Sequence, residues 1–234
     1  MNIGGFQKNS LIDFPRAIAC IIFTQGCNFS CPYCHNPALV AGSSSETGRL
    51  PDEAGIFEFL EKRKGFLEGV VITGGEPTLQ ADLLPFCRKI KDLGYRLKLD
   101  SNGSRPKILE QLFEDSLVDF ISMDIKTRLM DYSLVVPGKF DVSTIQDSIR
   151  LLMEKAPAYE FRTTCVRPMI SREIMEDIGQ MVRGAKSYIL QKCSRNVRVL
   201  DPKFLSQEEH FFSGDEMLEF KDIIEKYGVP AIVR

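Results

Sequence analysis

Apolar and polar positions along this chain fall into a repeating rhythm. "AIACIIFT" (17–24) is an unbroken apolar, β-rich run, the pattern of a buried strand. "PDEAGIFEFLEKRKGF" (51–66) is amphipathic, with Pro51 and two acids where a helix begins, which suits both the free N–H groups and the dipole of a first turn. The alternation then repeats: strands over 69–75, 95–100, 118–126, 159–166 and 187–192, helices over 81–94, 105–115, 142–155 and 171–184. A helix over 214–228 and a short strand over 229–233 close the chain. Between them, "AGSSSETGRL" (41–50) reads as a mobile surface loop, 127–141 as a loop with Pro137 and Gly138, and 194–213 as irregular. No fixed-period repeat appears beyond this rhythm.

Six or seven βα units imply parallel strands with the helices outside. Successive strand residues point to opposite faces. In 95–100 one face carries Arg96, Lys98 and Asp100 against Tyr95, Leu97 and Leu99. In 118–126 Phe120, Ser122, Asp124 and Lys126 oppose Ile121, Met123 and Ile125; in 159–166 Glu160, Arg162 and Thr164 oppose Phe161, Thr163 and Cys165. A doubly wound sheet is covered on both faces and should be apolar on both. A barrel whose lumen holds a polar ligand explains the charged face; an amphipathic sheet with one wet face is the competing reading. The expected fold is therefore α/β, a partial (β/α)6-type TIM barrel forming one domain over residues 1–234.

Composition narrows the classes. A hydrophobic content of 44% supports a real core. A formal net charge of −2 gives no electrostatic case for nucleic acid. No run of 18 apolar residues is present, and "MNIGGFQKNSLIDFP" lacks the basic and apolar regions of a secretion signal. The expectation is a soluble, cytoplasmic protein with no membrane or nucleic-acid partner.

Of seven cysteines, Cys20, Cys87, Cys165 and Cys193 lie scattered and read as buried apolar-like residues. The other three sit in "GCNFSCPYCHNP" (26–37), spaced C-x3-C-x2-C with His35 directly behind. Three thiolates on one short loop can each take a different iron of a cubane. A [4Fe–4S] cluster normally takes four cysteines, so one iron would keep an open position, as catalytic metals do. A Cys3His zinc site through His35 competes, against which Cys34 and His35 are adjacent and structural zinc ligands usually come as separated pairs.

The motif C-x3-C-x-aromatic-C resembles the signature of the radical S-adenosylmethionine superfamily, with Cys27, Cys31 and Cys34 as cluster ligands and Tyr33 as the aromatic. "TQGCNFSCPYCHNP" is similar to the activating enzymes of glycyl-radical proteins, and with "SLIDFP" before the first strand it looks closest to the anaerobic ribonucleoside-triphosphate reductase activating proteins. The resemblance implies a [4Fe–4S] cluster and S-adenosyl-L-methionine as cofactors, a 5′-deoxyadenosyl radical that takes a hydrogen atom from a glycine of a partner enzyme, and a one-electron donor such as flavodoxin or ferredoxin. It assigns "TGGEP" (73–77), with Gly74, Gly75 and Glu76, to the methionine amino group of the cofactor. Asp100, Ser101 and Asn102 of "LDSNG" resemble a cofactor-contacting segment, Lys126 would neutralise the cofactor carboxylate, and Arg162, His35 and Gln191 are further candidate contacts. Asp100, Ser101 and Asp124 resemble positions that hold a monovalent cation in some activases. All these residues follow strand ends, where a parallel barrel builds its site. A pyruvate formate-lyase-type activase, a small-molecule radical enzyme such as a 7-carboxy-7-deazaguanine synthase, and a zinc-stabilised binding module are the alternatives. The loop 127–141 is expected to touch the incoming peptide, and loop 41–50 to move at the same mouth.

Overall fold

The computed structural model describes residues 1–40 and 52–234; the Ser/Gly loop and Pro51 lie outside the described residues. Among the described residues, eight strands form one sheet in the order in which they occur in the chain: β1 (Ile3–Ser10), β2 (Ala19–Thr24), β3 (Gly69–Gly74), β4 (Arg96–Ser101), β5 (Phe120–Asp124), β6 (Tyr159–Cys165), β7 (Tyr188–Lys192) and β8 (Ala231–Val233). β1 runs antiparallel to β2, and every later pair is parallel.

Helices bridge the parallel strands. α1 (Pro37–Val40) and α2 (Glu53–Lys62) follow β2, and α3 (Leu83–Asp92), α4 (Pro106–Glu114), α5 (Ser143–Lys155) and α6 (Arg172–Met181) follow β3 to β6 in turn. α7 (Pro202–Leu205) and α8 (Gly214–Lys226) join β7 to β8. The capping chemistry fixes several starts. Asp52 accepts from the Gly55 N–H, Ser171 from the Ile174 N–H, and Ser213 and Glu216 form a reciprocal capping box.

This order determines the curvature. Parallel crossovers are right-handed, and each here steps one strand in the same direction, so all the helices fall on one face. The order never reverses, as it would in a doubly wound sheet. The uncovered face must then curl on itself, which gives the six expected βα units of an open barrel, plus β8.

Side chains sort accordingly. Val70, Ile72, Leu97, Leu99, Ile121, Met123, Phe161 and Leu190 are at most marginally exposed and pack beneath the helices. Their neighbours in sequence, Lys98, Asp100, Ser122, Asp124, Glu160 and Arg162, face the lumen in register across β4, β5 and β6. The polar face read from the sequence is this lumen.

Three segments differ from the sequence reading. β1 was not foreseen; it is an edge strand created by pairing with β2. The stretch 127–141 contains a 3-10 turn over Leu129–Leu134. The stretch 194–213 carries α7 and a 3-10 turn over Glu208–His210, where His210 is half-buried against Phe204, with ring centres 4.1 Å apart.

Candidate active site

A cavity of about 240 Å³ opens at the C-terminal rim of the strands. Cys27, Cys31 and Cys34 line it, with Tyr33 and His35 between and beside them. The end of β3 contributes Gly74, Gly75 and Glu76; the end of β4 contributes Asp100, Ser101 and Asn102. Asp124 comes from the end of β5 and Lys126 from two residues beyond it, Arg162 from β6 and Gln191 from β7. Every site residue expected from the sequence borders this one space, as do Phe29, Asn36, Val40 and Thr164, to which the sequence reading gave no role in the site.

The cysteine loop is held on three sides. On the β3 side, Gly75 N–H donates to Thr24 O at 2.9 Å and Glu76 N–H to Gly26 O at 2.8 Å. A Cβ on Gly75 would lie 2.0 Å from Gly26 O, and one on Gly74, at φ +118°, 2.4 Å from Thr24 N. The two glycines thus let β3 close against the backbone that leads into Cys27, a reason for their identity that involves no ligand. On a second side, Ser30 N–H donates to Val135 O at 2.8 Å, and Phe29 packs edge-on against Tyr132 and Phe140. On the third, Leu200 N–H donates to Cys34 O at 3.2 Å, Asp201 N–H to Pro32 O at 3.0 Å, and Tyr33 packs against Phe204.

The polar groups divide by task. Glu76 is fully buried. It accepts from the Thr78 N–H at 3.1 Å and hydroxyl at 2.5 Å, from the Ser101 hydroxyl at 2.9 Å and from the Asn102 N–H at 2.7 Å. Burial raises its pKa above the usual carboxylate range, against the pull of the Thr78 and Asn102 donors. Its carboxylate is a brace between the ends of β3 and β4. Arg162 bridges two carboxylates: Nε donates to Asp124 Oδ1 at 2.9 Å and Nη1 to Asp100 Oδ2 at 3.2 Å. Lys98 adds a contact to Asp100, and Lys126 Nζ reaches Asp124 Oδ2 at 3.1 Å. Burial alone would raise the Asp124 pKa, but Arg162 and Lys126 outweigh it and hold it at about 2. Asp100 is lowered in the same way by Arg162 and Lys98 against burial. The positions likened to a monovalent-cation site are therefore bonded to protein groups, with Ser101 turned to Glu76.

The donor set fits a cluster. All three loop cysteines are free thiols. Burial pushes the Cys27 thiol up to about 12 and raises that of Cys31, so a thiolate here needs a cation or metal to hold it. The Tyr33 hydroxyl is buried, makes no well-formed hydrogen bond among the described residues, and lies beside the Cys31 thiol. Among the described residues no three Cys, His, Asp or Glu side chains gather around one metal-ion position. His35 Nε2 instead lies 3.6 Å from Cys193 Sγ, which gives the zinc reading no support. Cys20, Cys87, Cys165 and Cys193 are all buried, as expected.

Comparison with known proteins adds to this geometry. Residues 21–185 match the model of the radical SAM superfamily. A protein of Methanocaldococcus jannaschii, named as a glycyl-radical enzyme activating enzyme, is 30% identical over 241 residues, covering 99% of this chain and 95% of its own length. The pyruvate formate-lyase-activating enzyme of Streptococcus mutans is 29% identical over 188 residues, covering 75% of this chain and 70% of its own. The crystal structure of a radical SAM methyltransferase from Sphaerobacter thermophilus superposes with a TM-score of 0.69 at 16% identity, over 94% of this chain and 67% of that one; that likeness speaks for the fold alone.

Proposed function

Because the chain belongs to the radical SAM superfamily, we propose that it is an activating enzyme that installs a glycyl radical on a partner enzyme. The family's [4Fe–4S] cluster and S-adenosylmethionine, when bound, supply a 5′-deoxyadenosyl radical that can take a hydrogen atom from carbon. Cys27, Cys31 and Cys34 would hold the cluster, with one iron left open. The observation that carries the reading is the meeting of these three free thiols in one rim cavity with the ends of β3 to β7. The similarity to the M. jannaschii activating protein along nearly its whole length supports the activase class.

The chain's own part is binding, aiming and water exclusion. Lys126 would face the cofactor carboxylate, while Gly74, Gly75 and the segment from Asp100 to Asn102 would border its methionine portion, with Tyr33, His35 and Gln191 at the edges. Glu76 would contribute by fixing Ser101 and Asn102. The 3-10 turn over Leu129–Leu134 packs on the cavity residue Phe29 through Tyr132 and exposes Met130 and Leu134 at 75% and 45%, and it would meet the glycine-bearing peptide. We assign the partner as anaerobic ribonucleoside-triphosphate reductase and the electron source as a flavodoxin- or ferredoxin-type protein, in the cytoplasm. No helix among the described residues is long and apolar enough to cross a membrane.

The test is anaerobic reconstitution followed by mixing with purified ribonucleoside-triphosphate reductase or, in parallel, pyruvate formate-lyase. A glycyl doublet in the electron paramagnetic resonance spectrum of the reductase supports the assignment. A doublet on the lyase alone would move the chain to that branch. 5′-Deoxyadenosine formed with neither protein acquiring a radical would favour a small-molecule substrate.

A further inference from the structure

Asn28, between the first two cysteines, has no role in the site described above, yet its amide belongs to a closed circuit. Asn28 Nδ2 donates to Ser104 Oγ at 2.9 Å, Asn102 Nδ2 donates to Asn28 Oδ1 at 3.0 Å, and Ser104 N–H donates to Asn102 Oδ1 at 3.0 Å. The two ends of an asparagine amide are interchangeable in shape, so the circuit must decide their orientation. A backbone N–H can only donate; Asn102 must therefore turn its oxygen to Ser104 and its nitrogen to the cysteine loop. One N–H of that nitrogen serves Asn28. Its other neighbour is Cys27 Sγ, at 4.0 Å, a sulfur that the Phe29 N–H also approaches, at 3.4 Å. Asn102 itself cannot drift, because its own N–H is bound to the buried Glu76.

We infer that Asn102 and Asn28 together tune the reduction potential of the cluster held at Cys27, Asn102 as the donor to the sulfur and Asn28 as the positioning residue that aims it. The inference rests on the cluster reading and goes beyond it. Hydrogen bonds to a ligating sulfur stabilise the added electron of the reduced state and raise the potential. The negative charge of a bound thiolate strengthens and shortens such a bond. Asn28 and Asn102 are 74 positions apart in sequence, so the coupling also joins the cysteine loop to the end of β4.

The experiment is a redox titration of the reconstituted cluster, followed by electron paramagnetic resonance, without S-adenosylmethionine or partner protein. Wild type is compared with Asn28→Ala, Asn102→Ala, the double variant and Ser104→Ala. Both single asparagine variants are expected to titrate at more negative potential, with the reduced-to-oxidised ratio at the wild-type midpoint falling about threefold, in line with one modest hydrogen bond. The double variant is expected to shift no further than Asn102→Ala, because Asn28 acts through Asn102. Ser104→Ala should shift less, since the Ser104 N–H remains. Unchanged midpoints in both single variants, or shifts that add in the double variant, overturn the proposal. Signals are read per cluster, so partial loading does not alter them, and if Asn102→Ala fails to fold, Asn28→Ala and Ser104→Ala carry the test. A wild-type chain that takes up no cluster would sink the family reading itself, whereas a cluster without glycyl radical formation would leave this inference untouched.

Discussion

The two ends of the barrel are built from the same strands and do opposite things. At the C-terminal rim the lumen ends in thiols, glycines and charged groups around an open cavity. At the other end, Phe14 is 1% exposed and packs with Ala17, Ala19, Ile21 and Val71 as a small apolar cluster inside the curl of the sheet. A Cβ on Gly69 would lie 2.7 Å from the Phe14 ring, and the Arg96 guanidinium sits 4.6 Å above it. Phe14 belongs to the "SLIDFP" stretch, so part of that motif has a plain mechanical use as a plug. Between the two ends lies the layer of Asp100, Arg162 and Asp124. Arg162 and Gln191 border both the rim cavity and a polar chamber next to the plug. In a barrel of this kind, residues at the strand C-termini serve chemistry and those at the opposite end serve stability.

The sharpest way to break this comparison is to disable one end and measure both properties. Cys27→Ala, Cys31→Ala or Cys34→Ala should each abolish 5′-deoxyadenosine formation, with little change in the melting temperature of the metal-free chain. Phe14→Ala should do the reverse: a loss of about 4 kcal/mol from the cavity it leaves and a melting temperature lower by about 10 °C for a chain of this size. Its cofactor cleavage per folded molecule should be kept. Calorimetry and a product assay on the same preparations decide it. If Phe14→Ala removed activity without lowering stability, the division between the ends would be wrong.

The division also explains what was legible in the sequence. Strands β2 to β8 announce themselves because their outward residues form short apolar runs, and the polar lumen appears as the alternate residue. The rim residues were legible for a related reason: they sit just after strands, in short motifs with glycine or cysteine. β1 was not, because "IGGFQKNS" carries two glycines and a polar end, and it becomes a strand only by pairing with the edge of β2. The wall formed by Leu200, Asp201 and Phe204 was equally hidden. Its bonds to Pro32 and Cys34 span more than 160 positions, and no local pattern encodes them. Asn28 was missed because its partners, Asn102 and Ser104, are likewise remote. The internal pairing of Arg162 had a visible signal, since strand alternation put it on the same face as Asp100 and Asp124.

That middle layer gives the next prediction. Arg162→Met removes the group shared by two buried carboxylates, and uncompensated buried charge costs about 3 kcal/mol or more. The loss should appear as a lower denaturation midpoint at neutral pH and should shrink as the pH is lowered through the carboxylate range, when Asp100 and Asp124 take up protons. An equal loss at pH 3 and pH 7 would show that packing, not charge, is what Arg162 supplies.

Asp124 offers a smaller, signed test. Its folded pKa of about 2 lies below the 3.8 of an ordinary aspartate. A depressed carboxylate contributes stability that is present above its unfolded pKa and lost as pH falls through the folded one. Wild type should therefore lose on the order of 2 kcal/mol between about pH 4 and pH 2 from this group. Asp124→Asn should flatten that part of the acid-unfolding curve, while both chains share the same slope above pH 5. A wild-type curve as flat as the variant's between pH 4 and pH 2 would place Asp124 outside the ion-paired layer.

The smallest expected effect is no effect at all. A monovalent cation at Asp100, Ser101 and Asp124 would need carboxylate oxygens facing it with negative charge to spare. Instead Lys98, Arg162 and Lys126 stand against Asp100, Asp124 and Glu160, three cationic groups for three anionic ones. The Ser101 hydroxyl is given to Glu76. The guanidinium occupies the place between the two aspartates that a bare ion would take, at 2.9 and 3.2 Å from their oxygens. Cofactor cleavage should then proceed at the same rate in tetramethylammonium, sodium and potassium buffers of equal ionic strength. Arg162→Met, which vacates the place and leaves the aspartates in excess, should acquire a dependence on sodium or potassium. If wild type instead required a small cation and the variant did not, the arginine would have been misjudged as the charge that joins the two ends of the barrel.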